Sequence, residues 1–241
     1  SVDKGESLKE TVATLSAYEP AAIVIRHPYA GAAQMVAGWT PAAVVNAGDG
    51  KHEHPSQALL DVFTLRRRLG SLEGVRIWIV GDVLHSRVAR SNLIAFQRMG
   101  AEVTVCGPPT LIPRGIERLG CEVSHTLDGI ESADVVYALR MQTERMSESF
   151  VPSLREYAAC FQIDGRRLGP RQLLMHPGPV NRGVELSAEA IDSPQSLIVA
   201  QVGAGLFVRM AILYELLAGG ETPTAAGEGS GTAPTPIGQP A

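Results

Sequence analysis

The sequence predicts an α/β protein made of two doubly wound parallel-sheet domains. Short β-branched or apolar runs alternate with amphipathic helical segments, and a polar connection at residues 70–74 separates two such groups. Strands that alternate with helices pair in parallel through right-handed crossovers. We expect a first domain at residues 1–72, a second at 73–200, a helix at 201–219 that returns to the first domain, and a disordered tail at 220–241.

The elements follow in order along the chain. In the first half we predict helices at residues 6–18, 28–37 and 57–68, a strand at 21–25 and another from residue 44. In the second half we predict strands at 75–80, 102–106, near 122, at 134–139 and at 173–175. Helical segments are expected at 87–99, 112–119 and 127–132, and an apolar run at 197–199 precedes a last helix at 203–217. Beyond residue 219 there are few large apolar side chains to offset the entropy of ordering.

Composition narrows the class of protein. The chain has 241 residues, 45% of them hydrophobic, which is enough for one large or two small cores. A formal net charge of −4 argues against a nucleic-acid partner. The three cysteines have no metal-binding spacing and no signal peptide is recognisable, so we expect a cytoplasmic protein. The apolar stretch at 204–217 is charged in places and too short to span a bilayer, so no membrane partner is expected.

Polar side chains follow two of the early predicted strands. Arg26 ends the first strand, and residues 46–57, which include His54 and Gln57, connect the second strand to a long helix. In open α/β sheets, ligands bind at the carboxyl ends of strands, and helix N-termini favour anions. The sequence therefore predicts an anion site here. The alternatives are a simple turn with a capped helix, and an arginine that only reaches solvent. Neither a Walker-type loop nor a G-x-G-x-x-G fingerprint is present.

A metal site is the competing interpretation of the same stretch. His52 and His54 form an H-x-H pair, as found in some metal-dependent hydrolases. A protein metal site needs three or four convergent ligands. The other histidines are scattered singly along the chain: His27, His85, His125 and His176. A hydrolase that uses His52 and His54 stays open at this point.

Six ordered motifs resemble the catalytic chain of aspartate carbamoyltransferases over residues 1–217. They are Lys4-Gly5-Glu6, Ile25-Arg26-His27-Pro28, Asn46-Ala47-Gly48-Asp49-Gly50 with His54-Pro55-Ser56-Gln57, Gly81-Asp82 with residues 85–91, Leu139-Arg140-Met141-Gln142 with Glu144-Arg145, and His176-Pro177-Gly178-Pro179 with residues 180–183. The related ornithine enzymes typically have His-Cys-Leu-Pro in place of the last motif. The resemblance therefore favours aspartate as the acceptor.

This resemblance implies carbamoyl transfer from carbamoyl phosphate to L-aspartate in pyrimidine biosynthesis, without a metal or cofactor. Carbamoyl phosphate would be bound by Arg26, His54, Gln57, the backbone of Pro177 and Gly178, and Lys4 from a neighbouring subunit. Arg26 and His54 would act in catalysis. Aspartate would be bound by Arg87, Arg140 and Gln142, and Glu144 and Arg145 would pair on domain closure. A homotrimer is implied, with a larger assembly containing regulatory or other pyrimidine-pathway chains as a further expectation.

One family motif is missing from the sequence. The phosphate loop Ser-x-Arg-Thr-Arg belongs to a segment that would precede Ser1, and nothing in the chain matches it. We therefore expect an incomplete first domain. This departure leaves open a second class of function, in which the chain is a non-catalytic homologue or an inactive fragment that binds without turnover.

Overall fold

The structure is a computed structural model that describes residues 6–142 and 151–218. Its first unit has a two-stranded parallel sheet, β1 (Ala22–His27) and β2 (Ala43–Asp49). Three helices accompany this sheet: α1 (Leu8–Ser16), α2 (Ala32–Ala37) and α3 (Pro55–Leu69). Helix α1 begins with a capping box between Ser7 and Glu10, and α3 begins with a proline, whose fixed φ suits the first helical position.

The second unit is a five-stranded parallel sheet with the order β5-β4-β3-β6-β7. Its strands are β3 (Arg76–Val80), β4 (Glu102–Cys106), β5 (Glu122–Ser124), β6 (Val135–Ala138) and β7 (Leu173–Met175). From β3 the chain adds β4 and β5 on one side, and it then crosses to add β6 and β7 on the other side, so the strand order reverses between β3 and β6. Ligands of doubly wound sheets bind outside the carboxyl ends of the strands at such a switch point. The fold therefore directs attention to the residues after β3 and β6.

Four helices complete the described structure. They are α4 (Arg87–Arg98), α5 (Leu154–Phe161), α6 (Ala188–Ile191) and α7 (Ile198–Leu217). Helices α5 and α6 were not predicted from the sequence. Each starts at a serine whose side chain accepts a hydrogen bond from a backbone N–H of the first turn, Ser153 from Glu156 and Ser187 from Ala190.

Apolar side chains cover both faces of the larger sheet. Ile77 and Ile79 of β3 pack on the side of α4, in a cluster that also contains Leu65 of α3. Trp78 and Val80, which alternate with them, pack on the opposite side with α5. A parallel sheet buried on both faces needs near-continuous apolar strands, which explains why its strands were recognisable from the sequence.

Several predicted boundaries were wrong. The helix expected at residues 112–119 is replaced by two 3-10 turns, Pro109–Leu111 and Ile116–Leu119, because Pro113 lacks an N–H and Gly115 adopts a φ of 77°. The strand β2 continues to Asp49, into the stretch expected to be a loop. The last helix begins at Ile198 instead of residue 203.

Helix α7 also corrects the argument about membranes. Among the described helices, α7 alone is long and apolar enough to cross a membrane by length and composition. The expectation that this stretch is too short to span a bilayer was therefore wrong. Its buried Gln201 donates a hydrogen bond to Asp61 of α3 at 2.7 Å. The helix therefore attaches to α3 through a polar contact as well as through apolar packing.

Candidate active site

The stretch that joins β2 to α3 is organised around the buried carboxylate of Asp49. Its oxygens accept hydrogen bonds from the Gly31 N–H at 2.7 Å, the Glu53 N–H at 3.0 Å and the Asn46 amide at 3.2 Å, and His52 Nδ1 lies 3.0 Å away. Burial raises the pKa of Asp49, but these hydrogen bonds outweigh it and lower the pKa to about 2. The ionised carboxylate thus fixes the loop in one conformation.

Gly48 allows this loop to approach Arg87. Its φ is +117°, and a Cβ at this position would lie 2.7 Å from the guanidinium carbon of Arg87. Arg87 is the first residue of α4 and is 5% exposed, and its Nη1 donates to the Gly50 carbonyl at 3.4 Å. The first unit therefore packs its backbone directly on an arginine of the second unit, which brings the predicted binding groups for the two substrates together.

His54 stands immediately before α3, beside three arginines. Its backbone N–H donates to Ser91 Oγ at 2.9 Å, which ties the start of α3 to α4. Burial lowers the pKa of His54 to about 4, and the positive charges of Arg87, Arg26 and Arg209 contribute to the same shift. The imidazole is therefore neutral near pH 7. Arg26 lies near the end of β1, so the region around His54 is strongly cationic.

The carboxyl ends of β3 and β6 meet at Asp82. This buried carboxylate accepts from the His85 N–H at 3.1 Å and lies 2.9 Å from His85 Nδ1. The Gln142 N–H donates to its other oxygen at 3.4 Å. Arg140 follows β6 and is partly buried. Asp82 therefore holds the backbone that carries Arg140 and Gln142 at the switch point of the sheet.

The loop after β7 is held by His176. Its backbone N–H donates to Gln201 Oε1 at 3.0 Å, and its Nδ1 accepts from the Gly178 N–H at 2.9 Å. Its Nε2 lies 3.3 Å from Glu185 Oε1. The Gly178–Pro179 peptide bond is cis. Pro177 is partly buried and Gly178 is exposed, so the part of the loop predicted to bind carbamoyl phosphate is accessible.

Gln57 lies in the first turn of α3 and is 8% exposed. Its side-chain amide donates to Asp61 Oδ1 at 3.1 Å. Asp61 and Gln201 were missed by the sequence analysis, as was the position of Arg209 beside His54. Asp61 lies one helical turn after Gln57, so a buried polar stripe on α3 was the available signal.

The histidine pair of the metal interpretation does not share one partner. His52 contacts Asp49, whereas the His54 ring lies 3.4 Å from Ser56 Oγ. Within residues 6–142 and 151–218, no group of three or more His, Cys, Asp or Glu side chains is arranged to hold a metal ion. Lys4, Glu144 and Arg145, which were predicted to act in subunit contact and domain closure, lie outside the described residues.

Comparison with protein families identifies both units. The aspartate/ornithine carbamoyltransferase carbamoyl-P binding domain matches residues 1–67, and the Asp/Orn binding domain of the same family matches residues 73–216. The chain belongs to the aspartate/ornithine carbamoyltransferase family. The predicted family and the predicted α/β fold with parallel sheets are thus confirmed, and a hydrolase built on His52 and His54 is not favoured.

Relatives within this family are aspartate carbamoyltransferase catalytic subunits. The one from Acidothermus cellulolyticus is 52% identical over 99% of this chain and 75% of its own length. The one from Pelotomaculum thermopropionicum is 53% identical over 91% of this chain and 72% of its own length. The chain therefore spans about three quarters of the length of these relatives, and the similarity extends across both units.

Solved structures give the same result. Aspartate transcarbamoylase from Trypanosoma cruzi in complex with carbamoyl phosphate has a TM-score of 0.80 and 31% identity, over 90% of this chain and 72% of that one. The catalytic subunit from M. jannaschii has a TM-score of 0.76 and 32% identity, with the same coverage. The same Trypanosoma cruzi enzyme has also been solved with carbamoyl phosphate and aspartate.

Proposed function

We propose that the chain transfers the carbamoyl group of carbamoyl phosphate to the amino group of L-aspartate, giving N-carbamoyl-L-aspartate and phosphate for pyrimidine biosynthesis. The observation that carries the proposal is the neutral His54 beside Arg26 and Arg87, where the two units meet. Cationic and neutral donors gathered at strand ends suit two anionic substrates. The relatives named as aspartate carbamoyltransferases support the choice of reaction.

The chemistry needs no covalent intermediate on the protein. The aspartate nitrogen attacks the carbamoyl carbon, an oxyanion develops on the carbamoyl oxygen, and the bond from carbon to the phosphate oxygen then breaks. The proton lost by the nitrogen passes to the departing phosphate. Arg26 and His54 donate hydrogen bonds to the developing oxyanion, and such preorganised donors are a large source of rate enhancement. Because its pKa is about 4, His54 acts as a neutral donor and not as a cation.

Each substrate has its own set of groups in this proposal. Carbamoyl phosphate is held by Arg26, His54 and Gln57 and by the backbone of Pro177 and Gly178. Aspartate is held by Arg87, Arg140 and Gln142. A planar guanidinium can bind a carboxylate through two parallel hydrogen bonds, and two separate arginines suit a substrate with two carboxylates.

Substitution of one group from each set tests the assignment. Arg140→Ala should lower kcat/KM for aspartate by about 30- to 1,000-fold, as expected when a charged hydrogen-bond partner worth about 2–4 kcal/mol is removed. Gln57→Ala should instead weaken the binding of carbamoyl phosphate. Arg118→Ala, an exposed arginine of the same unit as Arg140, is the matched control and should leave both values unchanged. If Arg140→Ala leaves the aspartate dependence unaltered, the assignment is wrong.

We also propose a cytoplasmic homotrimer, in which Lys4 reaches the site of a neighbouring subunit. The resemblance of Lys4-Gly5-Glu6 to the family motif supports this proposal. The larger assembly, and the absence of nucleic-acid and membrane partners, stay predictions from the sequence. Mass measurement of the protein in solution tests the trimer, and a stable monomer with full activity would contradict it.

A further inference from the structure

Asp61 is a fully buried carboxylate that accepts four hydrogen bonds. Its Oδ1 accepts from the side-chain amides of Gln57 at 3.1 Å and Gln201 at 2.7 Å. Its Oδ2 accepts from the Asn92 amide at 2.8 Å and the Tyr137 hydroxyl at 2.7 Å. Two carboxylate oxygens offer about four acceptor sites, so these donors satisfy the ionised group completely. The donors come from α3, α4, β6 and α7, so Asp61 lies where the two units join.

Two of these contacts lead to groups that the proposed function assigns to carbamoyl phosphate. Gln57 is one of those groups. Gln201 accepts from the His176 N–H, and His176 Nδ1 accepts from the Gly178 N–H. A continuous path of hydrogen bonds therefore runs from the Gln57 amide through Asp61 to the loop at Gly178. One buried carboxylate thus connects a side chain and a backbone segment on different elements.

The charge of Asp61 also dictates which way the Gln57 amide faces. A carboxylate can only accept hydrogen bonds, so the NH2 group of Gln57 must point toward Asp61. The Oε1 atom of the amide is then left for the ligand. An oxygen acceptor suits the NH2 group of a carbamoyl moiety, whereas the methyl group of an acetyl moiety offers no donor.

We propose that Asp61 is a positioning residue that makes the site selective for a carbamoyl over an acetyl group, by fixing the orientation of the Gln57 amide. This inference rests on the proposed role of Gln57. In Asp61→Ala the constraint is removed, because no side-chain acceptor remains opposite the NH2 group of Gln57, and the Gln57 amide can then rotate. The selectivity for carbamoyl over acetyl phosphate should therefore fall in a substituted protein that stays folded.

The test compares the dissociation constants of carbamoyl phosphate and acetyl phosphate in the protein. In Asp61→Ala the ratio of the two constants should fall by about tenfold, the effect of one hydrogen bond of about 1.4 kcal/mol. Tyr137→Phe is the matched control, because it removes a donor from Oδ2 and leaves the contacts of Gln57 and Gln201 on Oδ1. It should lower stability while keeping the ratio of the unmodified protein. An unchanged ratio in Asp61→Ala would overturn the proposal.

A third variant separates this proposal from the assignment on which it depends. If Gln57→Ala does not weaken carbamoyl phosphate binding, the proposed role of Gln57 fails. If Gln57→Ala weakens binding while Asp61→Ala keeps the ratio, the role of Asp61 alone fails.

The unmodified protein gives an independent readout if Asp61→Ala does not fold. Burial raises the pKa of Asp61 to about 6 against the effect of its hydrogen bonds, so the group gains an O–H donor in mild acid. Of its four hydrogen-bond partners, only Tyr137 titrates, and the pKa of that hydroxyl is raised well above its usual value, chiefly by burial. The ratio should therefore fall between about pH 7.5 and about pH 5, and the ligand phosphates, which titrate alike, cancel in it. A ratio that is constant across this range would contradict the proposal.

Discussion

Asp61 and His54 should affect the acid stability of the protein in opposite directions. The folded-state pKa of His54 is lowered from 6.5 to about 4, so its contribution is present above pH 6.5 and is lost as the pH falls. The folded-state pKa of Asp61 is raised from 3.8 to about 6, so its contribution is present at low pH and is lost as the pH rises. Each shift of about two units corresponds to about 3 kcal/mol at full extent. The two effects overlap in the range from about pH 4 to about pH 6.

The magnitudes follow from these values. Between pH 7 and pH 5, His54 should remove about 2 kcal/mol of unfolding free energy, whereas Asp61 should restore about 1 kcal/mol. In Asp61→Asn the compensating term is absent, so this variant should lose about 1 kcal/mol more than the unmodified protein over the same range. In His54→Gln the destabilising term is absent, and the loss should be smaller than in the unmodified protein.

Urea denaturation at pH 7 and pH 5, at one protein concentration, measures these differences. All other titrating groups are common to the three proteins, so their effects cancel in the comparison. Equal losses in Asp61→Asn and the unmodified protein would refute the assignment of a raised pKa to Asp61. Equal losses in His54→Gln and the unmodified protein would refute the lowered pKa of His54.

Three further predictions concern the site and the chain end. Gly48→Ala should raise KM for aspartate by about tenfold or more, because a Cβ would collide with Arg87. The control is Gly70→Ala, which has a φ of +82° but nothing within 4 Å, and which should only lower stability. Because His54 is neutral above about pH 5, protonation of His54 should cause no loss of kcat between about pH 8 and pH 6, and a loss that disappears in His54→Gln would contradict this. Removal of residues 220–241 should leave the melting temperature unchanged, since their composition offers little to bury, and a decrease of several degrees would show a packing role.

The strands of the larger sheet were predictable from the sequence, because they are buried on both faces and therefore consist largely of apolar residues. The helix expected at residues 112–119, by contrast, was predicted wrongly. Its apolar residues have a helical spacing, but Pro113 and Gly115 divide it into separate turns. Helical periodicity therefore identified the apolar positions and not the hydrogen-bonding pattern.

Some residues of the candidate site could also be predicted from the sequence, and others could not. Arg26 and His54 were predicted because they follow strands, where parallel sheets bind ligands, whereas the roles of Arg87 and Arg140 were predicted from the family resemblance. Asp61 could have been recognised from its spacing, one helical turn after Gln57, but Gln201 could not, because its contact is with the distant Asp61. Their hydrogen bond joins residues that are 140 positions apart, and no local pattern reports a contact of that kind.

The identity of the acceptor amine is the central point of the proposed function. The decisive measurement is the formation of carbamoylated product by the protein from carbamoyl phosphate and L-aspartate. The same measurement with L-ornithine is made in parallel under identical conditions. We expect N-carbamoyl-L-aspartate and inorganic phosphate in equal amounts, no product from ornithine, and a loss of the aspartate reaction in Arg140→Ala. Carbamoylation of ornithine in place of aspartate, or aspartate turnover that is indifferent to Arg140, would contradict the proposed function.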